Sequence, residues 1–388
     1  MKMAFFWRWG VLILLAALSG CGSPSVLPPV SSSSSAAARL ILSPVDYDHL
    51  PGWRDDAASQ VLPAFKKSCQ RLAQMPPTQP VGSDGQGGLA GDWLAPCGAL
   101  RAIGEGDDRA ARTFFETWFS PFRASNQGQP DGLFTAYYEA ELRGSRQFSS
   151  RYRFPIYGRP SGLAADSAAQ PGLSRAEIEA GSLAGRAPIL LWVDDAVDAH
   201  ILHIQGSGRV SLEDGTIVRL GFNGSNGHSF VGLGQILLDH GKLGPGETTM
   251  QSVRSWLKSH SDEAPSLMAE NPRYVFFREI HGDGPIGAAG VPLTPGRSLA
   301  VDPKFIAYGM VMWLDSLDPD GRPFRRLMVA QDTGAAIKGP VRGDIFWGTG
   351  ETALNFAGRM KSRGNYYLLL PKRRSTPIAA LVGLVRRV

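Results

Sequence analysis

The chain has 388 residues, 43% of them hydrophobic and 19% charged, which excludes a largely disordered protein and leaves room for two ordinary domains. A net charge of +5, with no Lys/Arg stripe interleaved with aromatics, is too mild and too dispersed to argue for a nucleic-acid partner, and none is expected. The 46 glycines and 28 prolines argue for short strands and turns over a helical bundle, and three cysteines build neither a disulfide scaffold nor an all-cysteine zinc site.

Lys2 and Arg8 precede the apolar run Gly10 to Leu18, which stops at Ser19-Gly20-Cys21. That is the layout of a secretory signal, too short to span a membrane. Leu18-Ser19-Gly20-Cys21 resembles the bacterial lipobox, and the resemblance implies cleavage after residue 20 and acylation of Cys21. The alternative is an ordinary signal peptide cleaved nearby. Gly22 in place of Asp after the cysteine points to outer-membrane sorting, with the protein lipid-anchored on the periplasmic face. Residues 21–39, with serines at every position from Ser31 to Ser35, read as a flexible tether.

Order is expected from Leu40. Asp55 to Met75 has helical spacing (Val61, Leu62, Phe65, Leu72) and stops before Pro76-Pro77. Cys69 and Cys97 are either bridged, in an oxidising compartment, or two free buried thiols. Gly82 to Gly91 reads as a loop, and Asp107 caps a second helix that ends near Phe119. From Phe134 the period changes to two, predicting strands at Phe134 to Tyr138, Ile189 to Val193 and Ala199 to Gln205. Ser174-Arg175-Ala176-Glu177 has capping-box spacing, and Thr248-Thr249 opens a helix running to about His260. The tail alternates glycine turns with short strands: Leu299 to Val301, Val311 to Leu314, Leu327 to Gln331, Ile345 to Trp347 and Tyr366 to Leu370. The chain is therefore mainly β with some helices.

The seven histidines include no His-Glu-x-x-His pair, and no cysteine pair has ligand spacing, so no metal is expected. On a strand, His200 and His203 would point to opposite faces. No G-x-S-x-G elbow occurs, and Gly206-Ser207-Gly208 lacks the lysine and helix of a phosphate cradle. Three aspartates stand at strand ends: Asp302, Asp332 and Asp344. A carboxyl beside Ile345, Phe346 and Trp347 would be desolvated and held protonated, while Lys338 would act the other way. The bland alternative is that these aspartates cap turns. Asp332-Thr333-Gly334 also matches an aspartic-protease signature, but that chemistry needs two such motifs and the chain has one.

Several motifs occur in an order that resembles the membrane-bound lytic murein transglycosylase A family. They are Phe134-Thr135-Ala136-Tyr137-Tyr138, Gln205-Gly206-Ser207-Gly208, Asn226-Gly227-His228 and Asn271-Pro272-Arg273-Tyr274-Val275-Phe276-Phe277, followed by Val291-Pro292-Leu293, Asp332 to Gly339 and Asp344-Ile345-Phe346. The resemblance covers roughly Phe134 to Leu370 and is loose before it. It implies a double-psi β-barrel built from residues 40–139 and 279–388, a smaller β-barrel of residues 140–278 inserted in it, and a groove between them. The C-terminal part would be the family's 3D module.

Carried over, the resemblance makes Asp344 the single acid–base group, with Asp332 and Asp302 supporting it. Thr135, Tyr137, Gln205, Gly206, Ser207, Gly208, Asn226 and Lys338 would bind substrate. For Tyr137 a core position, and for Ser207 a tight turn, are the structural alternatives. Asp332-Thr333-Gly334 departs from the Asp-Val-Gly of some members but keeps the aspartate and glycine. The implied reaction cuts peptidoglycan glycan strands between N-acetylmuramic acid and N-acetylglucosamine, without a cofactor, leaving 1,6-anhydromuramic acid. The competing readings are a lipid-anchored peptidoglycan-binding protein with a dead site, and a hydrolase of the same polymer.

Overall fold

The computed structural model describes residues 37–162, 171–282 and 284–372. In the first stretch, β1 (Leu40–Pro44) leads to α1 (Leu62–Leu72), α2 (Ala90–Ala99), α3 (Asp108–Trp118), β2 (Phe119–Asn126), β3 (Gly132–Ser145) and β4 (Phe154–Tyr157). Next come α4 (Arg175–Glu177), β5 (Ile189–Val193), α5 (Ala196–Gln205), β6 (Ser207–Leu212), β7 (Ile217–Ser225), α6 (Leu233–Asp239), α7 (Met250–Ser259), α8 (Ala264–Ala269) and β8 (Val275–Ile280). The tail supplies β9 (Ser298–Ala300), β10 (Val311–Leu317), β11 (Pro323–Asp332), β12 (Arg342–Thr349), α9 (Gly350–Arg359) and β13 (Lys361–Pro371). The chain is mainly β with some helices, as its composition predicts, and no described helix is long and apolar enough to cross a membrane.

Capping chemistry places several helix starts where the sequence predicts them. Asp107 accepts from the Ala110 amide, Thr249 from Ser252, and Ser174 and Glu177 form a reciprocal capping box. The stretch from Ala199 to Gln205 corrects the sequence reading: it is the helix α5, not a strand. Asp195 caps it by accepting from the Asp198 amide, and Gly206 ends it in the left-handed region at φ 75°. His200 and His203 consequently lie three apart on one helix and are both buried, not on opposite faces.

Strand pairing runs in a closed ring: β13 with β10, β10 with β11, β11 with β9, β9 with β12, β12 with β3, and β3 back to β13. Two of these pairs, β9–β11 and β3–β12, are parallel. Strand β3 is 14 residues long, and its second half leaves the ring to pair with β6 and β5.

Two apolar cores follow from this. One joins α1–α3 (Phe65, Trp93, Phe115) to β10, β11 and β13 (Trp313, Leu327, Leu368). The other joins the end of β3 to β5–β8 and α5–α8, and α9 adds Ala353 and Ala357. Cys69 in α1 and Cys97 in α2 are bridged, which decides between the two alternatives left open by the sequence.

Candidate active site

Strand register brings the aspartates together. Ala300 on β9 pairs with Asp332 on β11 at one side and with Asp344 on β12 at the other. Two strand spacings therefore separate the two carboxylate-bearing positions, roughly 10 Å across the backbone. Ala300 is small and buried, and the Tyr137 side chain from β3 reaches across to Asp332. Thr135 and Tyr137, two apart on β3 and hence on one face, pair with Asp344 and Phe346.

The Thr135 hydroxyl donates to Oδ1 of Asp344. The Tyr137 hydroxyl donates to Oδ2 of Asp332 at 2.6 Å, while its ring packs on Phe346 with centroids 5.4 Å apart. Leu293, Ala300 and Ile337 complete an apolar floor beneath the two acids.

That floor sets the electrostatics. Burial raises Asp344 above the usual carboxylate range, and the nearby charge of Asp332 adds to the rise. Arg342 and the Thr135 hydrogen bond pull it part of the way back. Asp344 as a residue is half-buried, as is Asp332, whereas Asp302 is buried. Burial also raises Asp332, against the hydrogen bonds from Tyr137 and from the Ala288 and Thr333 amides. The opposing cation is Arg342, two residues before Asp344 on the same face of β12, and not the exposed Lys338 of the sequence reading.

Asp332 and Asp302 both have their oxygens engaged. Asp332 accepts from Tyr137 on Oδ2 and from the Ala288 amide, at 2.8 Å, on Oδ1. Asp302, buried, accepts from the Lys304 amide on Oδ1 and from the Gly339 amide on Oδ2, at 3.1 and 2.8 Å, and so ties the loop after β11 to the end of β9. Behind them, buried Gln331 donates to Ala64 O and Ser68 Oγ and accepts from Ser298, locking α1 against β9 and β11. Among the described residues, no group of three His, Cys, Asp or Glu side chains is arranged to hold a metal ion.

The remaining sequence candidates divide. Gln205 Oε1 accepts from the Tyr138 amide at 3.1 Å, which fixes the turn between α5 and β6 next to the Thr135–Tyr137 face. Gly206 supplies the left-handed cap, and a Cβ on Gly208 would stand 2.4 Å from Leu202 Cδ1, so both glycines have a structural requirement. Ser207 is buried at the start of β6.

Asn226 is the exception to the grouping. It is buried, its Nδ2 donates to Leu173 O and Pro272 O, and its Oδ1 accepts from the Tyr274 amide at 2.8 Å. Its amide ties together the segments at Leu173, Pro272 and Tyr274, and its hydrogen bonds go to none of the three aspartates. Cys21 lies outside the described residues.

Sequence reasoning missed Arg342 and the Ala288 amide. The i, i+2 spacing of Arg342 and Asp344 on a strand was the available signal for the first; the second depends on a loop fold that spacing does not encode.

Two family models match, the MltA specific insert domain over residues 133–278 and the 3D domain over residues 297–370. Membrane-bound lytic murein transglycosylase A of Escherichia coli (strain K12) is 33% identical over 273 residues, covering 68% of this chain and 72% of that protein. The crystal structure of a membrane-bound lytic murein transglycosylase from Agrobacterium tumefaciens is 35% identical, with a TM-score of 0.75 over 85% of this chain and 97% of its own. E. coli MltA with bound chitohexaose is 27% identical, with a TM-score of 0.65 over 86% of this chain and 92% of its own. With both of its domain models matched and most of a relative aligned at this identity, the chain belongs to the membrane-bound lytic murein transglycosylase A family.

Proposed function

We propose that this protein is a peptidoglycan lytic transglycosylase in which Asp344 acts first as acid and then as base. Protonated Asp344 donates to the glycosidic oxygen linking N-acetylmuramic acid to N-acetylglucosamine, and the bond from that oxygen to C1 breaks. The sugar's own 6-hydroxyl then attacks C1 and gives its proton back to Asp344, leaving a 1,6-anhydromuramic acid end and the enzyme as it began. Attack from within the substrate gains effective molarity, so no water need be activated.

The observation that carries this reading is the division of labour among the acids. Ordinary glycosidases employ two free carboxyl groups. Here Asp344 is held toward its protonated form and accepts a hydrogen bond on Oδ1 alone, whereas Asp332 and Asp302 have both oxygens accepting hydrogen bonds. Thr135, Tyr137, Gln205, Gly206, Ser207, Gly208 and Lys338 are proposed to border the glycan, and Asn226 to act only through the loops it braces. The binding of chitohexaose by E. coli MltA supports an extended β-1,4-linked amino-sugar ligand here.

The closed ring of six strands supports a double-psi barrel of residues 40–139 and 279–388, and the second core supports an inserted domain of residues 140–278. Acylated Cys21 would hold the protein on the periplasmic face of the outer membrane, beside its polymer. Mass spectrometry of products from purified sacculi tests the reaction. Anhydro ends, one water lighter than hydrolytic ends, are expected and should disappear with Asp344→Asn; reducing ends would establish a hydrolase instead.

A further inference from the structure

We propose that Arg342 is a positioning residue that acts on Asp344 through Thr135, fixing the direction of the threonine hydroxyl and leaving Oδ2 of Asp344 as the oxygen that carries the transferable proton. The inference rests on the reading of Asp344 as the acid–base group.

The argument is a count of hydrogens. A guanidinium only donates, and Arg342 Nη2 donates to Thr135 Oγ1 at 2.8 Å. The threonine oxygen is thus an acceptor on that side, and its single hydrogen serves the bond to Oδ1 of Asp344. Oδ1 is an acceptor in turn, so a proton on this carboxyl sits on Oδ2, which has no protein partner among the described residues. Arg342 is itself held by backbone: Nη1 donates to Leu133 O at 3.2 Å and to Gly343 O. Without the guanidinium the hydroxyl could rotate, and the proton could sit on either oxygen. The titratable groups that bear on Asp344 from the packed strands are Arg342 on β12, Asp332 at the end of β11 and Tyr137 on β3; Lys361, opposite Thr135 on β13, is exposed.

The test measures kcat, KM and pH profiles for R342Q, R342K, T135V and the double variant R342Q/T135V, with D344N as reference. R342Q and T135V should each lower kcat about ten- to a hundredfold, the kinetic equivalent of one charge-assisted hydrogen bond, with KM nearly unchanged. On the pH-independent plateau, where the direct charge of Arg342 on Asp344 does not count, the double variant should be no worse than T135V alone, because there Arg342 works through the hydroxyl. The alkaline limb of kcat should move to higher pH in R342Q, since burial is then less opposed, and stay near wild type in R342K, which keeps the charge without the fork. Additive losses, an unmoved limb in R342Q, or a loss confined to KM would overturn the proposal. If R342Q does not fold, the same non-additivity is read from R342K, T135V and their double variant. Wild-type turnover in D344N would instead remove the acid–base reading beneath it, which separates the two failures.

Discussion

Asp56→Ala should destabilise the protein by about 4 kcal/mol, within the range of about 3–5 kcal/mol for breaking a buried ion pair. Asp56 and Arg297 have side chains only 5% and 4% exposed and meet through two bonds, Nη1 to Oδ2 at 2.8 Å and Nη2 to Oδ1 at 2.7 Å. Truncation strands the guanidinium with two backbone carbonyls and Gln60, and it orphans the Leu327 amide that Asp56 also accepts. Arg326 makes matters worse: burial and the neighbouring Arg297 already push it down to about 10, and without Asp56 the two cations face each other unopposed.

Urea unfolding followed by tryptophan emission reports on this core, because Trp53 and Trp313 pack edge to face there, 5.1 Å apart. Arg54→Ala is the internal control. It deletes an ion pair to Asp48 whose side chains are 81% and 83% exposed, and should cost at most about 1 kcal/mol. Equal midpoints for the two variants would refute the argument that burial, not charge pairing alone, sets the magnitude.

Asp344→Asn should unfold later than wild type at neutral pH and together with it near the ordinary carboxylate range of about 4. The folded-state value of Asp344 is raised, so its contribution is intact below the unfolded value and is lost as pH rises through the folded one; a gap independent of pH would contradict this. A Cys69→Ser/Cys97→Ser variant should lose about 3.5 kcal/mol by the chain-entropy relation for residues 28 apart, and an unchanged urea midpoint would count against it. Cys21→Ala should leave the precursor uncleaved or mislocalised in cell fractions, and recovery of processed, membrane-bound protein would sink the lipid-anchor reading.

Local chemistry was legible in the sequence wherever a short-range hydrogen bond decides the outcome. Asp107, Ser174 with Glu177, and Thr249 announce helix starts because their caps span three residues. Alternation misled at Ala199 to Gln205, where Ile201, Leu202 and Ile204 are apolar on nearly every side; the decisive signals were Asp195 before the segment and Gly206 after it. The site itself was half legible. The three aspartates stand out in the sequence, but the approach of Asp332 to Asp344 depends on both flanking strands choosing Ala300 as partner, a register fixed by contacts tens of residues away. Asn226 shows the converse: a motif asparagine whose burial and hydrogen bonds make it a brace, which residue type alone does not reveal.

The return of β13 to β2 and β3 has a consequence for how the protein is made. Phe119 on β2 waits for Pro371, and Thr135 on β3 waits for Lys361 and Asp344. The first core cannot close until nearly the whole described chain has been synthesised, so Trp93, Phe115 and their neighbours stay exposed to wrong partners during that interval. Pairings this distant in sequence make for slow folding and a long window for aggregation. A chain that stops before Lys361 would leave β2 and β10 with bare edges and β3, which carries Thr135 and Tyr137, short of a neighbour. The bare edges and apolar surface of the growing chain are thus a hazard that the finished fold does not carry.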